Sequence, residues 1–343
     1  MEPVGTRHRS GSNAAAARVT LTRDTWSLVL SRIGFSAIAP CFRVCKQFAH
    51  LLALDVVLEG VAGTAEREHP FLPAGFLASR PEGVIAAFKR IYAPLLHEYY
   101  SLRRVALPMC ESEAELFRSI EVVGVVPFSS QSDDDPVSTV GGESAMVSSE
   151  VAARLHVDGL LTWTNVCQLN LSAMTATGCI SAFRLLPPNG QMLFLIKSWR
   201  EGTRLVHDSE PDELDEVEFY TPEEELVPAF SLNAGAVRDR IFLKQDKWGW
   251  NSPEDQKLKA WHKQRQGKFF QDSALPFDDC IRIGGTKPFD TQGNFVLQDS
   301  ERLLIQTSHP GGYMWAAVGF VISKDDLARG DYSKVTSDIV DDA

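Results

Sequence analysis

The sequence predicts an α+β protein in which a run of short helices leads into a larger, β-rich domain built of two related halves. Three observations carry this expectation. Apolar residues recur at helical spacing between Leu21 and Leu52, and β-branched and aromatic runs dominate from Val122 onward. Two glycine pairs, Gly141-Gly142 and Gly284-Gly285, each precede a Leu-Leu pair (Leu160-Leu161, Leu303-Leu304) and then a glutamine, Gln168 or Gln306. The order is shared although the spacing is not, as two βββ-type halves packed into one domain would require.

The 343 residues suffice for one small and one large domain. Hydrophobic residues make up 44% and charged residues 23%, a balance able to bury a core, which excludes global disorder. The formal net charge of −11 opposes approach to a phosphate backbone, so neither nucleic acid nor a membrane surface is expected as a partner. Six scattered cysteines (Cys41, Cys45, Cys110, Cys167, Cys179, Cys280) form no CxxC pair, so free thiols are expected and no metal site. The first residues lack the apolar stretch of a secretory signal, and no apolar run approaches the ~18 residues that span a bilayer. A cytoplasmic and/or nuclear location follows as an expectation, under which the Asn170-Leu171-Ser172 sequon carries no weight.

Along the chain, residues 1–17 are small, polar and without periodicity, and are expected to form a disordered leader. Thr22 then caps a short amphipathic helix marked by Trp26, Val29, Leu30 and Ile33, which Gly34 ends. Ser36 caps the next helical stretch, with Ile38, Cys41, Cys45, Phe48 and Leu52 on one face and Pro40 in its first turn or at a kink. Residues 61–80 hold Gly63, Pro70, Pro73 and Gly75 and read as loop. Pro81 opens a helix through Val84, Ile85, Phe88, Ile91 and Tyr92, interrupted at Pro94, and a further helix over 111–120 leads into the strand VVGVVPF. Strands are expected at 160–171, 191–199, 302–308 and 318–323. The acidic run at 207–225 reads as solvated loop, and the basic run at 257–268 as solvated helix.

The segment LTRDTWSLVLSRIGFSAIAPCFRVCKQFAHLLALDVVL resembles the F-box. Leu21, Trp26, Val29, Leu30, Ile33, Phe35, Ile38, Val44, Cys45, Lys46, Phe48 and Leu51 stand at the family's apolar and Val-Cys-Lys places, with departures at Thr22, Pro40 and Phe48. A three-helix piece of about 40 residues has more apolar surface than it can bury alone, so the excess needs a partner. The resemblance implies that this partner is the Skp-type adaptor of cullin-based ubiquitin ligases, bound helix on helix through those residues.

The C-terminal region resembles the YwqG-like family, a domain of unknown function. DGLLTWTNVCQLNL and LLPPNGQMLFLI are similar to its first core segments. IRIGGTKPFDTQ, RLLIQTS and MWAAVGFVISKDDLARGDYSKV are similar to its second half, although Ala316-Ala317 follow Trp315 where the family has Gly-Asp. The expected organisation is a leader (1–17), the F-box (18–60), linker and helices (61–110), and a YwqG-like α+β domain (111–343).

The glycine pairs have the conformational freedom to make tight turns or to line a cleft between the halves. Gln168, Asn170 and Gln306 carry paired donors and acceptors suited either to a polar ligand or peptide backbone, or to satisfying loop backbone. With His309 and Trp315 they complete the candidate cleft. No GxSxG elbow, phosphate loop or HExxH motif is present and the eight histidines are dispersed, so no enzyme, cofactor or catalytic residue is expected. The expectation is a substrate-recognition subunit, binding a Skp-type adaptor, through it a cullin, and an unidentified protein client. A ligand-binding or enzymatic YwqG-like domain decorated by helices is the alternative.

Overall fold

The computed structural model describes residues 55–69, 73–128, 138–157, 163–197, 202–209, 214–219, 230–232, 237–243, 256–257, 260, 280–285, 297–307 and 317–340. The expected leader and residues 18–54 of the expected F-box lie outside these residues, as does most of the basic run at 257–268. By its contacts the chain divides into two units, Met1–Ala65 and Glu66–Ala343. Among the described residues no helix is long and apolar enough to cross a membrane.

Helix α1 spans Asp55–Glu68, which corrects the loop expected from residue 61. Gly60 and Gly63 each weaken a helix by about 1 kcal/mol. Val57, Val61, Ala62 and Ala65 nevertheless fall at helical spacing and are all buried, and that burial outweighs the glycines.

In the second unit, the helix expected from Pro81 starts later, at Val84, after Gly83 at φ +87°. It runs as α2 (Val84–Ala87), a π-helical turn (Phe88–Tyr92) and α3 (Ala93–Ala106). Pro94 has no N–H to donate one turn back and its ring crowds the carbonyl there; the chain widens into a π turn ahead of it, so the axis continues instead of breaking. Helix α4 (Glu113–Ser119) is capped by Ser112, whose hydroxyl accepts the Glu115 N–H, and passes directly into β1 (Ile120–Pro127).

Thereafter come β2 (Thr139–Val140), β3 (Ser144–Ser148), α5 (Ser149–Val157), β4 (Trp163–Asn170), α6 (Leu171–Thr177) and α7 (Ile180–Leu185). Strands β5 (Gln191–Lys197), β6 (Gly202–Asp208), β7 (Leu214–Glu218), β8 (Phe230–Ser231) and β9 (Arg238–Leu243) follow. The chain continues with β10 (Cys280–Ile283), β11 (Glu301–Thr307), β12 (Ala317–Ser323), α8 (Lys324–Arg329) and β13 (Thr336–Val340). The α+β class and a strand at each of the five expected places are present. The acidic run is not wholly loop: β7 pairs antiparallel with β3, turning Val217 and the following Phe219 inward while Asp215, Glu216 and Glu218 stay exposed. Period-two alternation, masked by the acidic composition, accounts for it.

Two antiparallel sheets share one core. A six-stranded sheet runs β13-β12-β11-β10-β1-β9 and a five-stranded sheet β6-β5-β4-β2-β8. Val166, Cys167, Leu169, Met192, Phe194 and Ile196 of the smaller sheet pack against Val126, Ile281, Ile283, Ile305, Val318 and Phe320 of the larger. The rings of Phe194 and Phe320 meet edge to face at 5.0 Å. The edge strands β6 and β13 approach one another, their Thr203 and Ser337 hydroxyls 2.6 Å apart. The outer face of the five-stranded sheet is covered by the β3–β7 ribbon and α5 through Leu193, Leu195, Val206, Val147, Val217 and Leu155.

Candidate functional site

The glycine pairs occupy matching places in the two sheets. Thr139 of β2 faces Gln168 of β4, and Arg282 of β10 faces Gln306 of β11. Two residues later the chain reaches Gly141-Gly142 (φ +68° and +92°) or Gly284-Gly285 (φ +79° and +108°). The register of β4 on β5 shifts between Asn165 and Cys167, and that of β11 on β12 between Leu303 and Ile305. The extra residues, Val166 and Leu304, each turn a carbonyl to the first glycine of the pair. Gly141 N–H donates to Val166 O at 2.8 Å and Gly284 N–H to Leu304 O at 3.0 Å. A bulge thus frees one carbonyl, and the positive-φ glycine brings the N–H that satisfies it.

The polar residues of these motifs do not converge on one cleft. Cys167 and Leu169 point into the shared core, so Gln168 between them points out of the opposite face of its sheet. Ile281 and Ile283 likewise point into the core, which turns Arg282, and Gln306 facing it, to the outer side of the other sheet. An apolar core therefore separates the two glutamines, against the expectation that they line one cleft between the halves. Gln168 is 1% exposed and donates from Nε2 to Met146 O of β3 and to Gln191 Oε1. Asn170 caps α6, its Oδ1 accepting the Ala173 N–H at 3.0 Å. The Oε1 atom of Gln306 is buried and has no hydrogen-bond partner among the described residues. His309, Trp315 and the expected adaptor-binding residues Leu21, Trp26, Val29, Leu30, Ile33, Phe35, Ile38, Val44, Cys45, Phe48 and Leu51 lie outside the described residues.

Three polar clusters outside the expected site residues tie together elements of the second unit. In the first, Arg80 Nη1 donates to Thr175 O at 2.7 Å and Nη2 to Ala176 O at 3.1 Å, while Arg90 Nη1 donates to Thr177 O at 2.9 Å. Two cations thereby cap the carbonyl end of α6, where Thr175 O also accepts the Gly178 N–H at 3.0 Å. Glu82 pairs with both arginines. Burial pushes the Glu82 carboxyl up, but the hydrogen bond from Arg90 and the two positive charges outweigh it and hold the group below its usual range. Gly178 closes the helix in the left-handed region at φ +81°, with Ile91 packed against the place a side chain would take.

In the second, the carboxylate of Asp239 on β9 sits at the start of α7. Its Oδ2 accepts the Ile180 N–H at 2.6 Å, and its Oδ1 accepts the Ser181 N–H at 3.0 Å and hydroxyl at 2.7 Å. Burial raises the Asp239 carboxyl above its ordinary value, and these donors hold back part of that rise. The Cys179 thiol, 3.6 Å from Asp239 Oδ1, is fully buried and pushed well up by desolvation, with the nearby carboxylate adding to the shift. A thiol so held is a weak nucleophile. In the third, Arg282 Nη2 meets Glu121 Oε2 at 3.1 Å, both side chains under 10% exposed. The sequence carried a signal for this pair, since each stands as a lone charge in an otherwise apolar strand.

Among the described residues no group of three or more His, Cys, Asp or Glu is placed to hold a metal ion. Each of the three clusters is a cap or an ion pair, able to fix elements in place. No protein-family model matches the chain, and no match to it is found among curated proteins.

Proposed function

We propose that this chain is the substrate-recognition subunit of an SCF-type (Skp–cullin–F-box) ubiquitin ligase. Residues 18–60 dock a Skp-type adaptor and through it a cullin, and the YwqG-like region, built of two related halves, binds a protein client. The observation that carries the ligase reading is the Val44-Cys45-Lys46 order in register with the apolar spacing from Leu21 to Leu51. Apolar helical spacing is common among soluble proteins; that triplet at that offset is not. Support for two related halves comes from the matched register, bulge and glycine turn: Thr139, Val166 and Gln168 in one sheet correspond to Arg282, Leu304 and Gln306 in the other. The role needs no catalytic residue, since the ligase complex supplies the chemistry.

The test is co-elution of the full chain with a Skp-type adaptor in size-exclusion chromatography. A complex that survives at micromolar concentration and is lost in Val29→Asp or Leu30→Asp is the expected result, because each substitution places a charge in an apolar interface. Failure to co-elute at micromolar concentration overturns the reading. Adaptor-directed pull-down with the proteasome blocked, read by mass spectrometry, then names the client.

A further inference from the structure

We draw no further inference here: the strongest candidate, the buried Gln306 carboxamide beside the Arg282–Glu121 pair on the outer face of the six-stranded sheet, carries nothing, because nothing among the described residues shows what covers that face.

Discussion

Arg80 reaches across 95 positions of sequence to donate to the main-chain oxygen of Thr175 at 2.7 Å, and its side chain is 4% exposed where it does so. The stretch ahead of α2 is thereby tied to the end of α6 by a charge-assisted bond in a dry setting. Removing the guanidinium leaves the Thr175 and Ala176 carbonyls without these donors. Arg80→Ala is expected to destabilise the protein by about 2–3 kcal/mol. Arg90→Ala, at a side chain 48% exposed, is expected to cost under about 1 kcal/mol. Urea unfolding of both variants checks the order; equal losses would show that burial does not set the strength of this contact.

The same cluster predicts an acid-sensitive contribution. Glu82 titrates below its ordinary value in the folded chain, so its pairing is fully present above the unfolded value of about 4.3 and fades as pH falls through the lower folded value. Glu82→Gln removes that dependence. Unfolding midpoints measured between pH 7 and pH 3 should fall less steeply in the variant than in the parent, by under about 1 kcal/mol in all for a partly exposed pair. Parallel curves would show that Glu82 is not linked to folding.

Gly124 lies in the middle of β1, where a Cβ would stand 2.7 Å from Cys179 Sγ and 3.3 Å from Ser181 Cβ. The missing side chain is what lets α7 press its first turn onto the strand while Asp239 caps it. Gly124→Ala should therefore destabilise by about 1–3 kcal/mol through overpacking. Adding Cys179→Ala removes the nearest atom, and a double-mutant cycle should recover part of the loss as a positive coupling. Strict additivity would place the strain elsewhere.

Two other glycines separate backbone strain from steric clash. Gly83 at φ +87° has open space where a Cβ would go, whereas at Gly178, φ +81°, a Cβ would stand 2.2 Å from Ile91 Cδ1. Gly83→Ala pays only the left-handed conformation, about 1 kcal/mol, while Gly178→Ala adds the displacement of Ile91 and should lose clearly more. Thermal midpoints of the pair are the measurement, and the reverse order would refute the assignment.

What the sequence disclosed and what it hid divide along a physical line. Strands such as QMLFLIK and AVGFVIS announce themselves because a buried strand must be apolar and β-branched whatever it pairs with. The glycine pairs were legible too, because positive φ at two successive positions strongly favours glycine. The contacts that fix the elements were not: Arg80 with Thr175, and Asp239 with the first turn of α7, join residues 95 and 59 positions apart, and no local pattern records such a meeting. The two glutamines part for a related reason. Gln168 and Gln306 stand at equivalent places in their own strands, but the sheets lie face to face, so equivalent outward side chains point away from one another.

The buried pair Glu121–Arg282 yields the sharpest contrast. Arg282 runs beneath Gly285, where an added Cβ would come within 2.3 Å of its Nη2, and reaches Glu121 at 3.1 Å inside a face that admits almost no water. Desolvation lowers the Arg282 guanidinium from its usual value while the facing carboxylate supports its charge. Taking away one partner removes this contact from a charge that stays in that dry setting, so Glu121→Leu and Arg282→Met should each destabilise by about 3–5 kcal/mol. The double variant removes both charges together and should lose far less than the sum of the singles, because each single keeps a buried charge that has lost this contact. Urea unfolding of the three variants decides it. Additive losses would mean that the two side chains are held by separate partners and that their 3.1 Å contact contributes little.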